Sequence, residues 1–273
     1  MSTILDRIIN HKKKEVERNK SLYPVKLLEQ SIYFDTKPIS LRHYLTRPDK
    51  LGIIAEFKRR SPSKGVINAY ADVERTTIGY MQAGASAISM LTDKDYFGGS
   101  NSDLTTARKF NYCPLLRKDF IVNEYQILEA KSIGADAILL IASALEPAAA
   151  ARYAIFAKSL GLEVLLECVS KIELDSYYTE DMDVVGINNR NLKDFTQSLD
   201  LSFELIDKMA SHAVKVAESS IRTAHDIAKL KQAGFNGFLI GEAFMKTARP
   251  EKTCEALISE TLRILNKAGV EVE

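Results

Sequence analysis

In Ser132-Ile-Gly-Ala-Asp-Ala-Ile-Leu-Leu-Ile141 a helix gives way to a strand, and the manner of the change points to the architecture. A helical pattern stops at Gly134, a residue that can leave the helix through a left-handed turn, and an apolar run follows at once. Ile138-Leu-Leu-Ile141 is apolar on consecutive positions, so both faces of this strand must be covered, as happens when parallel strands are wrapped by helices. A one-sided antiparallel sheet predicts alternation instead.

The same unit, a short β-favouring run, a polar stretch and an amphipathic helix, recurs eight times from Leu51 onward. Strands are predicted at Gly52–Phe57, Ser86–Leu91, Pro114–Arg117, Asp136–Ile141, Glu163–Glu167, Asp183–Ile187, Val214–Ala217 and Gly237–Ile240. Gly84, Gly161 and Gly234 stop helices as Gly134 does. Pro147 and Pro250 open helices, where a missing N–H costs little, and Gly269 closes the last one. Eight such units in about 220 residues predict a closed (β/α)8 TIM barrel over residues 51–273. A doubly wound sheet would show fewer strands and a G-x-G-x-x-G turn, and no such turn follows the first strand.

Residues 1–50 read differently. Ile4, Leu5, Ile8 and Ile9 recur at helical spacing, Lys12-Lys13-Lys14 reads as a solvated charged run, and Pro24, Pro38 and Pro48 break the rest of this segment into short pieces. This predicts a helical extension over the barrel mouth, not a second domain.

Composition narrows the class. With 37 basic and 36 acidic side chains the net charge is +1, which gives no field to hold nucleic acid. No apolar run reaches the roughly 18 residues of a membrane span, and Asp6 and Arg7 put charge where a signal peptide needs hydrocarbon, so a cytoplasmic protein is expected. Cys113, Cys168 and Cys254 are too scattered for a zinc site or a disulfide framework. His11, His43, His212 and His225 fall in the extension or on predicted helices, so no metal site is expected.

In such a barrel the working face is the rim of loops after the strands. Glu56 and Lys58 end the first strand on the same side, because side chains alternate with a period of two. Lys118 ends the third strand, Glu167 the fifth, Asn188 and Arg190 the sixth, and Glu218 and Ser219 the seventh. One strand-end charge alone is best read as solvated; five strands aiming them at one rim indicate a site. Lysines crowded there are expected to lose proton affinity, which suits a general acid, although nearby glutamates oppose the shift. Glu218-Ser-Ser-Ile221 and Ile240-Gly-Glu-Ala243 each lead toward a helix, an arrangement in which backbone N–H groups cradle a phosphate. Ser61-Pro-Ser-Lys-Gly65 is either a plain connector or a loop that closes over an anion.

These residues carry a resemblance. Ile54-Ala-Glu-Phe-Lys-Arg-Arg-Ser-Pro-Ser-Lys-Gly65, Leu91-Thr-Asp-Lys-Asp-Tyr-Phe-Gly-Gly-Ser100, Leu116-Arg-Lys-Asp-Phe120, Gly186-Ile-Asn-Asn-Arg-Asn-Leu192 and Ala217-Glu-Ser219 together resemble indole-3-glycerol-phosphate synthase of tryptophan biosynthesis, over nearly the whole chain. The resemblance implies a carboxy-lyase that converts 1-(2-carboxyphenylamino)-1-deoxyribulose 5-phosphate to indole-3-glycerol phosphate, carbon dioxide and water. It implies no metal and no organic cofactor. By it, Lys118 is the general acid, Glu167 the base with Glu56 able to share the work, and Lys58 the cation that steers the substrate carboxylate. Asn188, Arg190, Glu218 and Ser219 complete the polar wall. Phe97, Phe120 and Leu139 wall the aromatic ring, and Ser61 and Leu239 complete the substrate-binding set. Ser219, Ser220, Gly241 and Glu242 hold the phosphate.

The family usually has Gly where this chain has Ser220; if that position needs φ > 0, the serine is strained by roughly 1–2 kcal/mol and weaker phosphate binding is expected. Two rivals stay open at this point. A phosphoribosylanthranilate isomerase-like barrel would need a cysteine at the end of strand one, where this chain has Glu56 and Lys58, and a non-catalytic phosphate-binding barrel has only Ser220 in its favour. A monomer is expected, with docking onto other tryptophan-pathway enzymes left open.

Overall fold

The structure, a computed structural model, describes residues 3–190, 196 and 198–269. Eight parallel strands close into a barrel: β1 (Ile53–Phe57), β2 (Ala87–Leu91), β3 (Leu115–Lys118), β4 (Ala137–Ile141), β5 (Glu163–Cys168), β6 (Val184–Asn188), β7 (Val214–Glu218) and β8 (Gly237–Ile240). Each end lies within one residue of its sequence prediction. Closure is made by β8 pairing with β1, Ile54 opposite Leu239. Gly134 takes φ 89°, the left-handed turn expected after its helix.

Consecutive apolar residues serve two cores. Ile54, Leu116, Leu139, Leu165, Val184, Val216 and Leu239 fill the barrel, while Ile53, Ala55, Ile138, Leu140, Val164 and Phe238 pack outward beneath the helices. The last inward position of several strands then turns polar: Glu56 follows Ile54, Lys118 follows Leu116, Glu167 follows Leu165, and Glu218 follows Val216.

The extension divides between the two ends of the barrel. Helix α1 (Ile4–Leu22) starts at a capping box formed by Thr3 and Asp6, and its Leu5 and Ile8 join the interior cluster from the mouth. Helix α2 (Val25–Glu29) packs Leu28 beside Val16 and Tyr125. Helix α3 (Leu41–Leu45) belongs to the opposite end, where Leu45 lies against Gly237 at the start of β8.

Lys12 departs from the solvated run in which the sequence placed it. It is 1% exposed, because it follows Ile8 by one helical turn and points inward with it. The segment after β1 also differs from a plain connector, since Arg60–Ser61 and Gly65–Val66 form a small antiparallel hairpin. No helix among the described residues is long and apolar enough to cross a membrane.

Candidate active site

The rim gathers the predicted residues around one cavity. Glu56, Lys58, Ser61, Phe97, Lys118, Phe120, Leu139, Glu167, Asn188, Arg190, Glu218, Ser219 and Leu239 all line it. Its empty volume is about 860 Å³, open solvent at the mouth included. Ile4, Leu5 and Ile8 of α1 close part of its wall.

At its centre the Lys118 ammonium donates to Glu218 at 2.5 Å and to Glu167 at 3.0 Å. Asn188 Nδ2 donates to the other Glu167 oxygen at 3.0 Å, and the Arg190 backbone N–H holds Asn188 Oδ1 at 3.0 Å. Lys58 donates to Glu56 at 2.5 Å, which puts both groups of β1 on one side as the period of two requires. The Arg190 guanidinium reaches Ser63 at 3.0 Å and Glu242 at 3.4 Å. Asn191 and Leu192, which end one of the quoted motifs, lie outside the described residues.

Electrostatics corrects one expectation. Burial disfavours the Lys118 ammonium, but Glu167, Glu218 and Glu56 outweigh it and hold Lys118 above the ordinary lysine range. Its near neighbours are carboxylates rather than other lysines, so its proton affinity rises instead of falling. Burial pushes Glu218 up to about 7, the Lys118 attraction opposing this and the Glu167 charge adding to it. Glu167 is also disfavoured by burial, yet Lys118 and the Asn188 hydrogen bond bring it below the ordinary carboxylate range. Of the two carboxylates that share the ammonium, Glu167 is therefore the more acidic and Glu218 the more basic.

Two buried polar atoms at the site, Ser61 Oγ and Glu218 Oε1, have no hydrogen-bond partner among the described residues. Gly186 makes the second position possible, because a Cβ there would stand 2.3 Å from Glu218 Oε1.

A second cavity adjoins the first, sharing Glu56, Lys58, Arg190, Ser219 and Leu239, and is lined also by Ser220, Gly241 and Glu242. Lys64, Arg222 and Lys246 add cationic groups to it, of which only Lys64 was singled out by sequence. The helix after β7 starts at Ala224, and Thr223 already caps it, so Ser219 and Ser220 sit in a loop and not at a helix terminus. Both take φ 63°, so the condition on which strain at Ser220 depends is met, and Ser219 shares it. Asn189 Nδ2 donates to the Glu218 carbonyl at 3.0 Å and steadies this loop. The Glu242 carboxylate faces Lys64 at 3.7 Å and Arg190, so an anion would meet Glu242 through its backbone N–H.

The rim rests on supports that no local sequence pattern marks. Lys12 lies 2.9 Å from Asp93 and 3.0 Å from both Asp119 and Glu15. His11 is not remote from the rim as expected: it meets Asp95, in the loop after β2, at 2.6 Å.

The sequence pattern of the indole-3-glycerol phosphate synthase family matches residues 5–257. The chain is 46% identical over 255 residues to an indole-3-glycerol phosphate synthase of Bacteroides thetaiotaomicron, covering 93% of this chain and 97% of that one. It is 39% identical over 263 residues to the one of Carboxydothermus hydrogenoformans, covering 93% and 99%. Among solved structures, a thiamine phosphate pyrophosphorylase from Pyrococcus furiosus superposes with a TM-score of 0.59 at 17% identity, covering 79% of this chain and 98% of that one. A tryptophan synthase complex from the same organism gives 0.57 at 14% identity, covering 79% and 99%. At these identities the two structures speak for the fold alone.

Proposed function

The chain belongs to the indole-3-glycerol phosphate synthase family, and from that premise we propose that its cavity closes, decarboxylates and dehydrates 1-(2-carboxyphenylamino)-1-deoxyribulose 5-phosphate to indole-3-glycerol phosphate. The observation that carries this reading is the Lys118 ammonium held between Glu167 and Glu218, in the same cavity as the Lys58–Glu56 pair and the rings of Phe97 and Phe120.

The chemistry suits these residues. The ring carbon bearing the carboxylate attacks the ketone, and the carbonyl oxygen takes the proton of Lys118 as its charge grows. An ammonium of raised pKa still serves, since an alkoxide is more basic than any lysine, water itself having a pKa of about 15.7. Loss of carbon dioxide returns the electron pair to the ring. The new hydroxyl then leaves as water with a proton from Lys58, and ionised Glu167 removes the last proton, with Glu56 able to share that step. Phe97, Phe120, Leu139 and Leu239 seat the aromatic ring against the cavity wall, in the bound substrate and during the reaction alike. Ser61, Asn188 and Arg190 hold polar groups of the substrate.

The phosphate lies among Ser219, Ser220, Gly241 and the Glu242 N–H, with Lys64, Arg222 and Lys246 balancing its charge. Residues 1–50 are read as an extension of one structural domain, and a monomer in the cytoplasm as the working form. Incubation with the aminodeoxyribulose phosphate should give indole fluorescence and release carbon dioxide in equal amounts. Binding of the compound without either product would leave only a ligand-binding barrel.

A further inference from the structure

Lys12 is the only one of three adjacent lysines that is buried, and it joins the extension to two rim loops. Its ammonium stands 2.9 Å from Asp93 in the loop after β2, and 3.0 Å from Asp119 in the loop after β3. Asp93 accepts the backbone N–H groups of Tyr96 at 2.7 Å and Phe97 at 3.2 Å. Asp119 accepts the N–H of Phe120 at 2.8 Å and the Thr92 hydroxyl at 2.6 Å. The two phenylalanine rings meet 6.0 Å apart at the cavity wall. Each aromatic residue is thus held at its N–H by one of two aspartates, and one buried ammonium stands between those aspartates.

We propose that Lys12 is a positioning residue for ring closure: through Asp93 and Asp119 it sets the spacing of Phe97 and Phe120, and so the seat of the substrate's aromatic ring. Lys12 touches no reacting atom. Without its charge, Asp93 and Asp119 are buried carboxylates with nothing bridging them, and they separate. That separation moves the N–H groups they hold. Arg117 supports Asp119 from the outer side at 3.2 Å but does not reach Asp93, so it cannot replace Lys12 as the bridge.

The inference rests on the ring-closing function, and its test separates the two. In Lys12→Met, KM for the aminodeoxyribulose phosphate should rise about tenfold, and kcat should change much less, because a wall that holds the ring before and during reaction acts mainly on binding. In a Phe97→Ala background the same substitution should change KM by less than about twofold, since the wall is already broken. Backbone amide exchange of the free protein should quicken in residues 92–99 and 118–121 and not at the start of the strands. If Lys12→Met does not fold, Asp93→Asn loosens the same junction from the loop side and should raise KM in the same way. Unchanged KM and unchanged exchange in the two loops, or effects of Lys12→Met and Phe97→Ala that simply multiply, would overturn the proposal. A wild-type protein that makes no indole would remove the proposed function instead, and the exchange measurement would still decide whether Lys12 holds the two loops.

Discussion

The two ends of the barrel use the same residue types to opposite effect. Where the strands begin, carboxylates are consumed as stitches: Asp136 accepts the N–H groups of Ile39 and Leu115 at 2.7 Å and the Arg108 guanidinium at 2.6 Å. Glu163 takes the Ser40 hydroxyl at 2.5 Å and the Arg42 N–H at 2.7 Å, and Asp183 takes the Val164 N–H at 2.9 Å. Where the strands end, Glu218 shares one ammonium with Glu167 and keeps Oε1 buried without a partner among the described residues. Burial raises the proton affinity of Asp136, Glu163 and Glu218 alike. What differs is whether backbone donors answer the carboxylate. Saturated groups hold the barrel together, and unsaturated ones leave capacity for a reaction.

The largest expected effect lies at the mouth. Lys118→Met should lower kcat by about 10³-fold, in the range for loss of a general acid, with the protein still folded by circular dichroism. Near-normal turnover would remove Lys118 from its role. At the other end, Asp136→Ala should leave kcat within about twofold of normal and cost about 3 kcal/mol of stability in urea unfolding, because Arg108 and two N–H groups lose their acceptor. A large loss of turnover in that variant would blur the division between the ends.

How far this division shows in the sequence depends on the period of the signal. The rim was legible because strands alternate strictly, so a polar residue two places after an inward apolar one, as in Ile54 and Glu56, identifies itself. Lys12 was hidden by the opposite circumstance. Three lysines in a row look solvated as a run, yet a helix turns about 100° per residue, so one of the three must share the stripe of Leu5, Ile8 and Val16. The in-phase position was visible. Its partners Asp93 and Asp119 were not, since no local pattern ties α1 to loops so far along the chain. The hairpin of Arg60–Ser61 and Gly65–Val66 escaped for a simpler reason, that two-residue strands carry no periodicity. The raised proton affinity of Lys118 depends on which side chains converge in space, and residue types alone left the sign open.

The contrast between saturated and unsaturated carboxylates should also appear as pH dependence. Glu218 moves from an ordinary value of 4.5 to about 7, so between these values the folded protein holds a proton that the unfolded chain has lost. The stabilising contribution of this group is complete below about pH 4.5 and disappears as pH rises through about 7. Glu167 is shifted the other way and acts below its ordinary 4.5, outside this window. The stability of wild type relative to Glu218→Gln should therefore fall between pH 5 and pH 8, by no more than something on the order of 3 kcal/mol. Unfolding in urea at the two values measures it. A difference that grows with pH would mean that Lys118, and not burial, governs Glu218.

The smallest effect concerns Ser220, and it tests whether the mouth stores strain as well as charge. The left-handed φ of 63° is present in the free protein, so its cost falls on folding and is the same before and after a phosphate arrives. The expectation of weakened phosphate binding, natural from the sequence, does not follow from this geometry. Ser220→Gly removes roughly 1–2 kcal/mol of backbone strain, while the freer unfolded chain takes back about 0.4–1 kcal/mol. The variant should gain up to about 1.5 kcal/mol of stability, and inhibition by inorganic phosphate should stay within about twofold of wild type. If instead phosphate inhibition strengthens markedly at unchanged stability, the serine side chain obstructs the anion directly, and the strain at this end of the barrel is a matter of binding and not of folding.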